Sequence, residues 1–327
     1  APIVLTGAAI GSNIGKLARL NYRNITLLLC CGAGAAIASI FKAPITGVVF
    51  VLEILMLDIT ASSVIPLLIS SITATTIALT LRGFDPIIAV TLTPDDAFVL
   101  KQIPLFILLG VLCGLMAYYF TSVNARVGKL FGSIQSQYKK WALGGIILGV
   151  LIFIFPPLYG EGYEAFVSLM HGQATALFDN SLFYKFSSND WVLLIYVIAI
   201  MFFKVIAMST TNAAGGVGGT FAPSLFVGAF MGATVALACN TIFGWHLSLV
   251  SYTLVGMAGV MSGVMKAPLT SIFLIAELSN GYGLFIPLMI VACISFAVNY
   301  YLDPDSIYTK QLRMKGELLT HNKDESV

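Results

Sequence analysis

The chain is 327 residues long, 58% hydrophobic and only 10% charged, with a formal net charge of +2. A soluble domain carries nearer a quarter charged residues, so this composition excludes one and reads as an all-α integral membrane protein in a lipid bilayer. The near-neutral balance offers no basic face for nucleic acid, and none is expected as a partner.

The first eleven residues, APIVLTGAAIG from Ala1 to Gly11, fit a pattern A-P-x4-G-A-x2-G that returns as APSLFVGAFMG from Ala222 to Gly232. Next comes KAPITGVVFVLEI, Lys42 to Ile54, which returns as KAPLTSIFLIAEL, Lys266 to Leu278. Lys42/Lys266, Ala43/Ala267, Pro44/Pro268, Thr46/Thr270 and Glu53/Glu277 match at identical spacing, offset by 224 residues, against 221 for the A-P pair. One long internal duplication explains both pairs; a short-period solenoid does not.

Apolar runs follow from Val64 to Leu81, Ile103 to Phe120, Ala142 to Leu158, Trp191 to Met208 and Leu284 to Leu302. They approach or reach the ~20 residues that cross a bilayer as helix. The stretches Ile45 to Met56 and Leu269 to Leu278 are about half that length and are predicted to start at their prolines, where a missing N–H is no loss, and to stop within the membrane. Short interrupted segments at matching places in two halves point to a transporter-like site at an inverted-repeat interface. Broken, tilted helices are therefore expected, in a first membrane repeat (1–99), a second (100–308) and a tail (309–327).

Charge orients the loops. Asn124 to Lys140 holds Arg126, Lys129, Lys139 and Lys140 without an acid, whereas Tyr159 to Asp190 holds Glu161, Glu164, Asp179 and Asp190 against Lys185. The excess of positive charge on the cytoplasmic side places the first loop inside and the second outside. The basic tail after Tyr308 reads as cytoplasmic. Lys204 lies within an apolar run, equally suited to snorkelling and to lining an inner anion vestibule.

Thr210 to Pro223 reads TTNAAGGVGGTFAP, with four glycines in five positions. Such backbone is tolerated at membrane depth only where protein or a watery cavity surrounds it. A helix is predicted to begin at Pro223. A helix N-terminus exposes unpaired N–H groups and about half a positive charge, so it attracts an anion without a full cation. No Lys or Arg occurs from Ser209 to Phe243, which leaves binding weak enough for release. An anion pathway is the reading these residues favour.

In these motifs the chain resembles the CLC family of chloride channels and chloride/proton exchangers. Gly218 to Pro223 (GGTFAP) resembles the family's G-x-F-x-P motif, Ala1, Pro2 and Gly7 resemble the tail of its G-[KR]-E-[GA]-P motif, and both K-A-P segments fall at its short interface helices. Tyr308, in DSIYTKQL, stands where the family places an anion-contacting tyrosine. The resemblance implies a homodimer with one pathway per subunit, with chloride as the transported ligand and no cofactor. It implies that the Gly219-Thr220-Phe221 backbone and the Tyr308 phenol hold a central anion, and that amides near Ala1 and Ala222 serve an outer one.

Two departures accompany the resemblance. The family's gating glutamate would immediately precede Ala1. The second copy also has about 120 residues of its own, Leu100 to Thr220, ahead of its A-P motif, where the first copy has none. The first repeat is thus expected to be incomplete here, and residues 1–327 alone are not expected to catalyse selective flux. Second, exchangers of the family commonly carry a proton-transfer glutamate at the position of Ile54, so either a channel or a proton-coupled exchanger fits. The short stretch after Tyr308 fits a bacterial-type protein of the plasma membrane.

A different class stays open: a cation-coupled solute carrier with inverted repeats, for which Glu53 and Glu277 are the candidate cation ligands. Their duplication favours a shared packing or capping role instead. The five cysteines (30, 31, 113, 239 and 293) and three scattered histidines have neither disulfide-framework nor metal spacing. No nucleophile elbow, P-loop or H-E-x-x-H occurs, so no enzyme and no metal site is expected.

Overall fold

The computed structural model describes residues 2–55, 61–83, 96, 98–186, 189–279 and 281–305. Their regular structure is entirely helical: α1 (Pro2–Leu17), α2 (Tyr22–Phe41), α3 (Pro44–Ile54), α4 (Ala61–Arg82), α5 (Ile103–Gly132), α6 (Gln137–Ile154), α7 (Tyr163–Met170), α8 (Asp190–Ala213), α9 (Phe221–Phe243), α10 (Leu249–Met265), α11 (Pro268–Leu278) and α12 (Phe285–Leu302), with short 3₁₀ turns between some of them. Among the described residues, seven helices are long and apolar enough to cross a membrane, while α3, α10 and α11 are shorter. The two K-A-P helices start at their prolines and last eleven residues each, as their sequences predict. Helix α5 runs twelve residues beyond Phe120 through the basic segment. Hydropathy sees only its membrane part, whereas its Lys, Arg and Leu residues continue the helix readily.

The duplication is visible as structure. Helices α1 to α4 correspond in order to α9 to α12, and the paired helices meet at the same glycines. A β-carbon on Gly7 would lie 2.3 Å from the Gly32 carbonyl oxygen, and one on Gly228 would lie 2.5 Å from that of Gly256. Likewise Gly11 abuts Leu28 at 2.1 Å and Gly232 abuts Tyr252 at 1.8 Å. The repeated glycines of the A-P pattern therefore let α1 lie on α2, and α9 on α10, at backbone distance. The offset changes from 221 to 224 between Gly232 and Tyr252, in the second half of α9 and the connection to α10.

The lysine that opens each K-A-P segment ends the helix before it. Lys42 and Lys266 adopt left-handed φ values of 54° and 58°, and their N–H groups bond Ala38 O and Ser262 O. Glycine usually takes this position. Lysine stands here because its ammonium reaches the end of the fourth helix of its own copy: Lys42 Nζ donates to Gly83 O at 2.8 Å, and Lys266 Nζ to Asp303 O at 2.7 Å and to Asn299 Oδ1. A cation at a helix C-terminus is favoured by the macrodipole.

The two copies are joined by their glutamates. Glu53 accepts from Leu269 N–H at 3.0 Å, Thr270 N–H at 2.7 Å and the Thr270 hydroxyl at 2.7 Å. Glu277 accepts from Ile45 N–H at 3.0 Å, Thr46 N–H at 2.8 Å and the Thr46 hydroxyl at 2.5 Å. Each carboxylate, near the C-terminus of its own short helix, thus caps the N-terminus of the other copy's. Reciprocal end-to-end contacts require α3 and α11 to run antiparallel, so the copies are inverted repeats related by a pseudo-two-fold axis between these helices. Neither helix has a side-chain cap from its own chain neighbourhood; the partner copy supplies it.

Candidate functional site

Helix α8 unwinds at Ala214. The backbone turns through Gly215 at φ +103°, a conformation closed to other residues, and the Gly216 N–H bonds back to Thr211 O at 2.9 Å. Gly218 then passes Asn212 so closely that a β-carbon would lie 2.1 Å from its Oδ1. Residues 215 to 218 are exposed, Gly219 is half-buried, and Thr220 and Phe221 are buried.

Helix α9 begins at Phe221, two residues before the predicted start. Pro223 lies in its first turn, where an N–H would have had no intrahelical acceptor anyway, so the proline marks the turn and not its first residue. The first intrahelical bond is Ser224 N–H to Thr220 O at 3.0 Å. The amides of Phe221 and Ala222 have no carbonyl one turn earlier on the helix axis. Thr220 makes no side-chain cap, and its hydroxyl faces the Met265 sulfur at 3.9 Å. Residues 218 to 222 thus present backbone donors at the positive end of a 23-residue helix.

This end sits where the copies meet. The Phe221 ring lies 5.3 Å from that of Phe41, the last residue of α2, and 6.5 Å, edge-on, from that of Phe50 in α3. Met265, the last residue of α10 in the same copy as α9, approaches Thr220. Phe41 and Met265 are equivalent positions of the duplication. Sequence reasoning singled out neither; their place directly before each K-A-P lysine was the available signal.

Of the sequence-predicted site, Gly219, Thr220, Phe221 and Ala222 are brought together at this terminus. Ala1 and Tyr308, together with the tail after it, lie outside the described residues. Ile54 ends α3 and packs, half-buried, against the apolar core. Glu53 and Glu277 are engaged in capping α11 and α3, so the reading of them as cation ligands is corrected: their oxygens face helix N–H donors.

Lys204 also departs from both readings of it. It is 2% exposed, neither snorkelling nor lining a vestibule. Its ammonium donates to Gly160 O at 2.9 Å and Leu158 O at 3.3 Å and lies 4.4 Å above the Phe226 ring. Gly162, at φ +80°, lets that turn press on the same ring. Phe226 is five residues, about 7.5 Å of rise, beyond Phe221. Lys204 therefore ties the 158–162 turn to α9 and adds positive potential beside its N-terminus, with its ammonium held by carbonyls and an aromatic face.

Two inverted membrane repeats, with a glycine-led helix terminus at their junction, define a broken-helix transporter or channel. The chain belongs to the voltage gated chloride channel family, whose model matches residues 1–300. It is 29% identical over 318 residues to the putative chloride channel protein ClcB-like of Ralstonia nicotianae, covering 95% of this chain and 69% of that one. It is 27% identical over 320 residues to the H(+)/Cl(-) exchange transporter ClcA of Vibrio cholerae, covering 95% of this chain and 64% of the relative. Among solved structures, a slow cyanobacterial Cl-/H+ antiporter superposes with a TM-score of 0.78 at 26% identity, covering 95% of this chain and 70% of the other.

Proposed function

We propose that this chain forms the central part of a chloride pathway in which the N-terminus of α9 is the anion-binding element. The observation that carries the reading is the uncapped Phe221–Ala222 terminus, with Phe221 buried at the junction of the two copies, preceded by backbone that only glycines can shape. Oriented N–H groups and the helix dipole supply attraction in a low-dielectric setting. The absence of Lys and Arg from Ser209 to Phe243 keeps the anion exchangeable. The Tyr308 phenol and the amides near Ala1 and Ala222 complete the reading, by the family resemblance, as further anion contacts. A cation-coupled carrier is not favoured, because both carboxylates it needs are committed elsewhere.

The experiment removes one backbone donor. A protein containing this chain, with the residue at Phe221 replaced by its α-hydroxy acid, loses that N–H and keeps the side chain. Chloride affinity measured by calorimetry should fall about tenfold, the lower range for a hydrogen bond to a charged partner. Unchanged affinity would place the anion elsewhere. Reversal potentials across a pH gradient at fixed chloride then read proton coupling directly: a shift with pH identifies an exchanger, and its absence a channel.

Two subunits are proposed to associate through the faces of α4 and α12. These helices flank the α3–α11 pair on equivalent positions of the pseudo-two-fold and present Ile69, Ile72, Ile286 and Met289 outward, a self-complementary surface suited to an isologous contact.

A further inference from the structure

Helix α6 is the most peripheral span. Gly144 is its one buried residue, and Ile146, Val150 and Phe153 face outward. Gly144 touches α8 at Ala214, where a β-carbon would lie 2.5 Å from the alanine methyl. Beside this contact the two helices leave a groove of about 850 Å³. Its walls are Gln137, Tyr138, Trp141, Gly145 and Leu148 on one side and Thr211 with the Gly215–Gly216 backbone on the other.

We propose that this groove binds one anionic phospholipid of the bilayer, with its phosphate at Gln137 and Lys140 and an acyl chain along Trp141, Gly145 and Leu148. Three observations identify the occupant. From Gln137 to Leu148 the groove follows α6 for about 17 Å of rise, about half of the ~30 Å hydrocarbon core and hence one leaflet deep. Its mouth carries Tyr138 and Trp141, 86% and 72% exposed, the pair of side chains that settles at headgroup level. The charge there is of one sign: Arg126 and Lys129 near the end of α5 and Lys139 and Lys140 in the first turn of α6, with no acid from Asn124 to Lys140. Cations in a first helical turn oppose the macrodipole, and a lipid phosphate offsets both. A neutral lipid would leave that charge unanswered, and a soluble partner would not reach a groove that descends to the bilayer centre. Because Gly215 and Gly216 form one wall, the lipid would brace the turn that leads to Thr220.

The test uses Trp141 as the reporter, in a protein containing this chain with Trp191 and Trp245 replaced by Phe. It is reconstituted in vesicles of mixed phosphatidylglycerol and phosphatidylcholine, with bromine on the acyl chains of one or the other. Brominated phosphatidylglycerol should quench Trp141 preferentially. Lys140→Gln should lower that preference about fivefold, the effect of one cation near the surface. Gly145→Leu should abolish it by filling the groove; a β-carbon there meets nothing within 4 Å, so the change enters without a clash. Gly149→Leu, equally unobstructed but outside the groove, should retain it. Equal quenching by the two lipids overturns the proposal. So does a preference that survives Gly145→Leu, which would mean that the lysines only enrich anionic lipid around the protein.

Discussion

Glu53 and Glu277 each satisfy two orphan N–H groups of a helix more than 200 positions away in sequence. Removing one carboxylate leaves those donors without an acceptor in an apolar setting, which costs more than one ordinary net hydrogen bond. Glu53→Ala should destabilise the protein by about 2 to 3 kcal/mol, read as a lowered unfolding temperature in detergent, and Glu277→Ala should do the same by a similar amount. A null effect at either position would show that the caps are replaceable by water. The repeated Glu spacing made a capping role legible in the sequence. Its target was not, because a carboxylate's own copy contains an equally suitable N-terminus, and only the antiparallel docking of α3 and α11 decides between them. Thr220 and Phe221 were readable from local chemistry, a glycine run ending in a proline turn. The aromatic neighbours Phe41 and Phe50 were not, since packing between copies leaves no local trace.

Among the helices, the same residue type does opposite things. Gly232 lets α9 touch α10, whereas Gly145 on α6 faces open space. Gly232→Ala drives a methyl into the Tyr252 carbonyl and must push two backbones apart, so a loss of about 3 kcal/mol or more is expected. Gly145→Ala should be neutral or slightly stabilising by the helix propensity of alanine. Unfolding of the two variants, side by side, checks the contrast; equal stability would deny the close packing. The prolines at 44 and 268 fixed helix starts to the residue because each follows a left-handed lysine that ends the helix before it and a non-helical alanine. Pro223 missed by two because any place in a first turn suits it. At the far end of α5, hydropathy stopped at the membrane boundary although the helix continues for three more turns.

For the whole molecule, the duplication was the most legible feature, since five identical side chains at one spacing fix the correspondence of α3 with α11 before any coordinate is known. Inversion, expected from the short interrupted helices, is seen in the reciprocal caps of α3 and α11. The outward faces of α4 and α12 carry the proposed subunit contact. Ile69→Trp with Ile286→Trp should overpack it and shift the protein to monomers on size-exclusion chromatography and crosslinking in mild detergent, with secondary structure unchanged. Dimers that persist would place the contact on another face.

The reciprocal caps have a mechanical consequence. Two rods pinned to each other at both ends cannot pivot independently: a tilt of either lengthens a bond at its far end, so α3 and α11 behave as a single rigid plate. Phe50 projects from that plate onto Phe221. In the proposed pathway, the glycine-led start of α9 would therefore open against a fixed stop at Phe50.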